Sequence, residues 1–132
     1  MLTLLHTINA LNSAILFSKT RVKITQFNNL TLNVLLTLQH LNVIDSFILN
    51  KTHTQCTIIL PTTQSSLIFQ QIQSISTPHK YIYMTYSELV KLRAVDLSSE
   101  YLISSTHNKI IMTSSEAIRH HIGGLVLLKL YL

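Results

Sequence analysis

Hydrophobic side chains recur at helical spacing near the start of the chain, with polar residues between them. Leu4, Ile8, Leu11 and Ile15 are three or four positions apart, so an α-helix would carry them on one face. A second series of the same kind ends at Leu41, and two asparagines that can cap a helix precede it. The pattern predicts two amphipathic helices in the first third of the chain.

Short apolar segments between and after these helices predict β-strands. Arg21–Ile24 alternates polar and apolar residues, and the apolar segments 47–49 and 56–60 flank a polar turn, as in a β-hairpin. Pro61 and the threonine, glutamine and serine residues after it interrupt this pattern. Helix, strand, helix, strand and strand are therefore predicted to form an N-terminal α/β lobe over residues 1–65.

The C-terminal half predicts more strand than helix. Residues 103–132 contain an apolar segment, a polar turn, a second apolar segment, a short basic helix and a final apolar strand. Thr113 and Glu116 have the spacing of a capping box at the start of that helix. Gly123-Gly124 is predicted to close it, because glycine readily adopts the left-handed conformation found at helix ends. One more helical turn is predicted to begin at Ser87.

The predicted fold class is therefore α+β with two small lobes, the second of which, residues 66–132, is mostly β with a short helix. Composition supports a folded core, because 47% of the residues are apolar and only two are glycine and two proline. Polar residues interrupt every apolar segment before it reaches the roughly 18 residues of a membrane-spanning helix. Cys56 is the only cysteine, which excludes an intrachain disulfide and a cysteine-based metal site.

The charge of the chain is compatible with a phosphate-bearing partner. The formal net charge is +5, and no acidic residue precedes Asp45, whereas Lys19, Arg21 and Lys23 lie close together near the N-terminus. Lysine and arginine displace the counterions condensed on a nucleic acid. A basic surface that only keeps the protein soluble explains the same balance equally well.

The polar turn in the C-terminal half is the main candidate for binding chemistry. It contains hydroxyls, an amide, an imidazole and one cation in the residues Ser104, Ser105, Thr106, His107, Asn108 and Lys109. Proteins recognise folded RNA through its shallow minor groove and 2′-hydroxyls, which short hydroxyl side chains can approach closely. Lysine adds attraction to phosphate. From the spacing alone, however, an exposed hairpin turn without a partner is the more frequent explanation.

The sequence contains no motif that predicts catalysis or metal binding. It has no Gly-x-Ser-x-Gly and no His-x-x-x-His, and its five acidic residues are scattered singly. His120 and His121 are adjacent, so on a helix they would point apart and could not share one metal ion. We therefore predict a protein that is not an enzyme and that needs no cofactor, metal or small-molecule substrate.

Three stretches in the chain resemble, in order, the small-subunit ribosomal protein family numbered eight. Asn-Val-Ile-Asp-Ser-Phe at 42–47 resembles the family's Gly-Phe-Ile-x-x-Phe, with Asn42 expected to take the left-handed conformation of the glycine. The other two matches follow the family's Ile-x-Arg-Val-Ser-x-Pro and its Ser-Thr-Ser, Met-Thr, Ala and Gly-Gly pattern. Their residues are Ile72, Ile75, Ser76, Pro78, Tyr83, Ser104, Ser105, Thr106, Met112, Thr113, Ala117, Gly123 and Gly124.

This resemblance implies a structural protein of the small ribosomal subunit that binds a stem in the central domain of the small-subunit rRNA and aids its assembly. The resemblance places most base and ribose contacts on residues 104–109, with Tyr83 and Lys80 beside them. Phosphate contacts are expected from Lys19, Arg21 and Lys23, and packing contacts from neighbouring ribosomal proteins. Lys91, Arg93, Arg119 and Lys129 also lie in the C-terminal half, where some are expected to contact phosphate.

The apolar, glycine-poor composition favours a mitochondrial version of this protein over a plastid or bacterial one. The alternative from another class is a structural subunit at an organelle membrane surface, which would use the N-terminal amphipathic helix. A small serine hydrolase is a weaker alternative, because no nucleophile motif accompanies the histidines. Binding to anionic vesicles, or labelling by a serine-reactive probe, would favour the respective alternative over RNA binding.

Overall fold

The computed structural model describes residues 2–17, 19–60, 71–96, 99–105 and 110–131. Its internal contacts divide the chain into two units, Met1–Gln71 and Ile72–Leu132. The lobe boundary predicted between residues 65 and 66 lies outside the described residues. The α+β fold class is confirmed, since helices and antiparallel sheets are both present.

The N-terminal unit has the predicted order of helix, strand, helix, strand and strand. Its elements are α1 (Leu2–Leu16), β1 (Arg21–Ile24), α2 (Asn29–His40), β2 (Ser46–Leu49) and β3 (Cys56–Ile59). The strands form one antiparallel sheet in the order β1-β3-β2. Asn28 caps α2, because its side-chain oxygen accepts a hydrogen bond of 2.9 Å from the backbone N–H of Thr31.

The hydrophobic pattern of this unit decides which side of each element is buried. The side chains that are at most 2% exposed include Leu4, Ile8 and Leu11 of α1 and Val34, Leu35 and Leu38 of α2, whereas Ile15 is partly exposed. The helix α1 contacts both α2 and β1. In β1 and β3, Val22, Ile24, Cys56 and Ile58 are buried, whereas the residues between them are more exposed. Burial of each large side chain contributes about 1.5–3 kcal/mol, so the alternation holds the strands in register.

The helix end after α2 confirms the role predicted for Asn42. This residue has φ 63°, and its backbone N–H donates to the oxygen of Gln39 at 3.0 Å. The next backbone N–H, that of Val43, donates to Leu38 at 3.0 Å. Asparagine tolerates the left-handed conformation better than most residues, which explains how it can stand where the resemblance predicts glycine.

The C-terminal unit is built around the long last strand. Its elements are β4 (Gln71–Ser74), β5 (Tyr83–Met84), α3 (Tyr86–Val95), β6 (Ser99–Ser105), β7 (Ile111–Thr113), α4 (Ser114–Arg119) and β8 (Gly124–Tyr131). The sheet order is β4-β8-β6-β7, and β5 also pairs with β8. One sheet face packs against α3 and α4 through Leu89, Tyr101, Ile103, Met112, Ala117 and Val126. The helix predicted to begin at Ser87 begins at Tyr86 and is ten residues long.

The conformational role predicted for the two glycines is wrong. The helix α4 ends at Arg119, and the left-handed residue after it is His121, with φ 56°. Neither glycine has a positive φ. Glycine is required at both positions because neighbouring backbone atoms leave no room for a side chain. A Cβ on Gly123 would lie 2.9 Å from the Cα of Thr85, and one on Gly124 would lie 3.0 Å from the carbonyl carbon of Ser104. The capping interaction of Thr113 with the N–H of Glu116, at 3.3 Å, is confirmed.

Candidate nucleic-acid interface

The predicted RNA-binding turn connects β6 to β7, and the structure describes both of its ends. Ser104 is half-buried and Ser105 is buried at the end of β6. The backbone N–H of Ser105 donates to the oxygen of Ile110 at 2.9 Å, so the sheet holds the two ends of the turn together. Thr106, His107, Asn108 and Lys109 lie outside the described residues.

Residues from four strands form a continuous row beside this turn. Tyr83 is opposite Leu125, Leu125 is opposite Ser104, and Ser104 is opposite Ile111. Directly opposed residues of antiparallel strands point to the same face of a sheet. We call these four residues the cross-strand row. Tyr83 is 60% exposed and the other three are partly exposed, so the row offers an aromatic ring, two apolar side chains and a hydroxyl to a partner.

The opposite face of the same strands is firmly packed. Ile103 and Val126 are fully buried, Met112 is 8% exposed, and all three belong to the cluster that includes Leu89 and Ala117. Successive residues of a strand point to opposite faces of the sheet. Because these neighbours are packed on one face, the side chains of the cross-strand row must point to the other face. The row is therefore a surface carried by rigid strands and not by a loop.

Ser76 links the segment before Tyr83 to the last strand. Its side chain is 2% exposed, its hydroxyl donates to the oxygen of Val126, and it accepts a hydrogen bond of 3.0 Å from the N–H of Ile82. The N–H of Val126 in turn donates to the oxygen of Ile82 at 2.9 Å. This serine thus ties Ile82, the residue before Tyr83, to the strand that carries Leu125.

Replacing Ser76 with Ala should lower the free energy of unfolding by about 1–2 kcal/mol, because the partly buried N–H of Ile82 then loses its acceptor. Chemical denaturation of both proteins measures the difference. Ser87→Ala is the control, since Ser87 is exposed in the first turn of α3. Equal losses in the two variants would contradict a specific role for the buried hydroxyl.

Two of the basic side chains in this unit have partners within the protein. Arg93 pairs with Glu100 at 2.6 Å, and Lys129 pairs with Asp96 at 3.3 Å. The Lys129 ammonium also lies 4.5 Å from the ring centre of Tyr131. Both cations therefore stabilise the unit itself, and we assign them no phosphate contact. Lys80, by contrast, is exposed and lies three residues before Tyr83. Its backbone N–H and oxygen form hydrogen bonds with those of Thr77, which close a turn.

The carboxylate of Glu100 joins β6 to α3 and α4. Oε1 accepts from Ser115 at 2.8 Å and from Arg93, and Oε2 accepts from Ser114 at 2.9 Å. Burial alone would raise the pKa of Glu100, but these hydrogen bonds and the charge of Arg93 outweigh burial and hold the pKa below its ordinary value of 4.5. The network keeps α4 against the sheet behind the cross-strand row.

The lowered pKa of Glu100 gives a pH-dependent prediction. The stabilisation by the ionised carboxylate is complete above about pH 4.5 and is lost as the pH falls through the lower folded-state pKa. Glu100→Gln should therefore be less stable than the wild type at pH 7, and the difference should shrink towards pH 3. Urea unfolding at several pH values tests this, with the exposed Asp45→Asn as control. A difference that does not vary with pH would contradict it.

The basic residues predicted in the N-terminal unit are exposed. Arg21 and Lys23 are two residues apart in β1 and therefore lie on the same face of the sheet, and Lys19 precedes that strand. The structure thus brings Arg21 and Lys23 together on one surface. In the C-terminal unit it brings Tyr83 and Ser104 together through Leu125.

The histidines and acidic residues in the described part of the chain do not form a metal site. No group of three or more histidine, cysteine, aspartate or glutamate side chains there is placed to hold a metal ion. His121, one of the two adjacent histidines, contacts the ring of Tyr86 edge to face, with ring centres 4.7 Å apart. Among the described helices, none is long and apolar enough to cross a membrane.

Sequence reasoning did not identify Leu125, Ile111 and Ser76 as parts of this surface or its support. Leu125 and Ile111 belong to apolar segments that look like ordinary core, and only the strand register shows that their side chains share a face with Ser104. The register of distant strands has no local sequence signal. Ser76 did match the resemblance, but the sequence does not show which backbone groups its hydroxyl meets.

Comparison with known proteins matches the chain to a family model. The family model described as ribosomal protein S8 matches residues 3–131, which is nearly the whole chain and includes both units. No curated protein matches the chain in a direct sequence search. The match therefore rests on the pattern of the family as a whole.

Proposed function

The chain belongs to the ribosomal protein S8 family, and we propose that it binds a stem in the central domain of the small-subunit rRNA and aids assembly of that domain. The family consists of structural small-subunit ribosomal proteins that bind rRNA, and it is not an enzyme family. The particular stem, the assembly role and the contact residues are our proposal.

The cross-strand row beside the 106–109 turn is the observation that supports this proposal. Tyr83 is exposed, yet the strand that carries it is held by Ser76 and by pairing with β8. An exposed aromatic ring on a rigid strand can stack on an unpaired base, and each such stack contributes about 1–3 kcal/mol. Ser104, in the same row, presents a hydroxyl that can both donate to and accept from ribose or base atoms.

The proposed contacts fall into two classes. Tyr83 and the short polar side chains recognise bases and ribose, and cations attract phosphate without reading sequence. The first class comprises Ser104, Thr106, His107, Asn108 and Tyr83, whereas Ser105, which is buried at the end of β6, holds the base of the turn through its backbone N–H. The second comprises Lys80, Lys109, Lys19, Arg21 and Lys23.

We also propose that the protein works in a mitochondrial ribosome and packs against neighbouring small-subunit proteins. The support is compositional: 47% of the residues are apolar, 11% are charged and two are glycine. A surface with few charges suits a protein that is largely covered in an assembly, where solubility as a free monomer matters less.

The experiment that tests the function is a salt titration of the purified protein with the native central-domain stem and with a scrambled stem of equal length. We expect the native stem to bind more tightly at every salt concentration, because base and ribose contacts persist when phosphate attraction is screened. Equal binding to both stems, with the same steep salt dependence, would overturn the proposed stem recognition and leave only a basic surface.

The membrane alternative requires an available apolar face on α1, and most of that face is buried within the N-terminal unit. The apolar residues of α1 that would enter a membrane surface, Leu4, Ile8 and Leu11, are at most 2% exposed. Inserting them into lipid would require the N-terminal unit to open and lose that burial. We therefore do not propose a membrane function.

A further inference from the structure

The segment between α4 and β8 fits closely onto the junction between β5 and α3. The two residues of β5 pair with the start of β8, Tyr83 with Leu125 and Met84 with Gly124. Next along the chain, the backbone of Thr85 lies against Gly123, where a Cβ would be 2.9 Å from the Thr85 Cα. The ring of Tyr86, the first residue of α3, then contacts the ring of His121, with ring centres 4.7 Å apart. The contact thus continues the β5–β8 pairing into the first turn of α3.

His121 has a backbone conformation that glycine adopts at lower cost. Its φ is 56°, and its N–H donates to the oxygen of Ile118 at 3.2 Å. The N–H of Ile122 donates to the oxygen of Ala117 at 2.9 Å. These two bonds are those of a Schellman motif, whose left-handed position is most often glycine. The helix end therefore does not need a histidine, whereas the contact with Tyr86 needs the imidazole ring.

We infer that Tyr86 and His121 are positioning residues for RNA binding, which keep Tyr83 in its place in the cross-strand row. This inference rests on the proposed rRNA-binding function. The strand β5 is only two residues long, so its pairing with β8 supplies few hydrogen bonds. The hydroxyl of Ser76 holds Ile82, the residue before Tyr83. The ring contact holds the helical turn that begins three residues after Tyr83, so the short strand is held on both sides.

The geometry of the ring contact suits a positioning role better than a role in the hydrophobic core. His121 is exposed and Tyr86 is half-buried, and neither belongs to the buried cluster that packs the sheet against α3 and α4. The ring planes meet at 63°, edge to face. Such a pair depends on the placement of both rings, so it limits movement of the start of α3 relative to the end of α4. Tyr83 can stack on a base of the stem only while its strand keeps this place.

Hydrogen exchange in the free full-length protein tests the positioning without RNA. His121→Gly removes the ring but keeps the left-handed helix end, which glycine adopts readily. The N–H of Val126 reports on the attachment of β5, because it donates to the oxygen of Ile82 at 2.9 Å. The N–H of Ser105, which donates to Ile110, is the internal control. We expect exchange at Val126 to become about two- to tenfold faster and exchange at Ser105 to stay unchanged. Unchanged exchange at Val126 would overturn the inference.

A double-mutant cycle with the native stem distinguishes positioning from direct contact of His121 with RNA. His121→Gly should raise Kd about two- to tenfold in the otherwise wild-type protein. It should raise Kd less than about twofold when Tyr83→Ala is already present, because the ring that it positions is then gone. Tyr86→Phe keeps the ring and should bind like the wild type, whereas Tyr86→Ala should resemble His121→Gly. His120→Ala, at the neighbouring exposed histidine, is the control and should bind like the wild type.

The same increase of Kd in both backgrounds would overturn the inference, since His121 would then act independently of Tyr83. Failure of the proposed stem recognition is distinguishable, because it appears in the wild type as equal binding of native and scrambled stems. In that case exchange at Val126 still decides whether the ring pair holds β5 against β8.

Discussion

Replacing Gly124 with Ala should lower the free energy of unfolding by about 2–3 kcal/mol and weaken RNA binding as well. The added methyl group would lie 3.0 Å from the carbonyl carbon of Ser104 and 3.1 Å from Cγ2 of Ile103, and it would overlap the Ser104 oxygen. Two of these three atoms are backbone, so a side-chain rotation cannot relieve the contact. The strands β6 and β8 would have to separate at the Ser105–Gly124 pair.

That separation falls at the edge of the proposed binding site. Ser104 and Leu125, one residue along from the altered pair, are the central members of the cross-strand row. Their displacement would move the base of the 106–109 turn away from Tyr83. We therefore expect the Gly124→Ala protein to discriminate less between native and scrambled stems, even at temperatures where it remains folded.

Thermal and urea unfolding measure the stability effect, and filter binding of the stem measures the functional one. Ala94→Leu is a suitable control, because Ala94 is exposed on α3 and the change adds more volume without a close neighbour in the core. Wild-type stability and stem affinity in Gly124→Ala would show that the strand pair accommodates a Cβ, and would remove the spatial explanation for this glycine.

Replacing Tyr83 with Ala should weaken binding of the native stem by about 1–3 kcal/mol, which is a roughly fivefold to 150-fold increase in Kd. Stability should change little, because the ring is 60% exposed and lies outside the buried cluster of the unit. The physical reason for the loss is the stacking surface, which alanine lacks. Tyr83→Phe keeps the ring and should retain most of the affinity.

Tyr81→Ala provides the comparison for this experiment. Tyr81 is 52% exposed, similar to Tyr83, and lies two residues earlier in the chain, but its position is outside the cross-strand row. Binding of native and scrambled stems by all three variants should show a selective loss only for Tyr83→Ala. A comparable loss for Tyr81→Ala would mean that exposed aromatic surface in general, and not the row, supports binding.

Local patterns predicted most of the elements of the fold because their causes are local. The spacing of leucines in α1 and α2, the asparagine cap at residue 28 and the alternation in β1 all involve residues within a few positions of one another. Asn42 was predicted correctly for the same reason, since left-handed helix ends depend on the residue and its immediate neighbours.

Gly123 and Gly124 show where local reasoning fails. A Gly-Gly pair after a short helix predicts a left-handed helix end, yet His121 occupies that conformation and neither glycine has a positive φ. Their function is to let β8 approach the backbone of Met84, Thr85 and Ser104. Those residues are about 20 to 40 positions away in sequence, so nothing near the glycines could have indicated the contact.

The sequence by itself determined the α+β class, the order of elements in the N-terminal unit, the helix caps at Asn28 and Thr113, and the resemblance to a family that the full-length match later showed. The tertiary structure alone decided that Tyr83, Leu125, Ser104 and Ile111 form one row, and that Arg93 and Lys129 are engaged within the protein. The physical reason is the separation along the chain of the residues that interact. Helical periodicity, caps and turns depend on neighbouring residues, whereas strand register and ion pairing join residues that only the folded chain brings together.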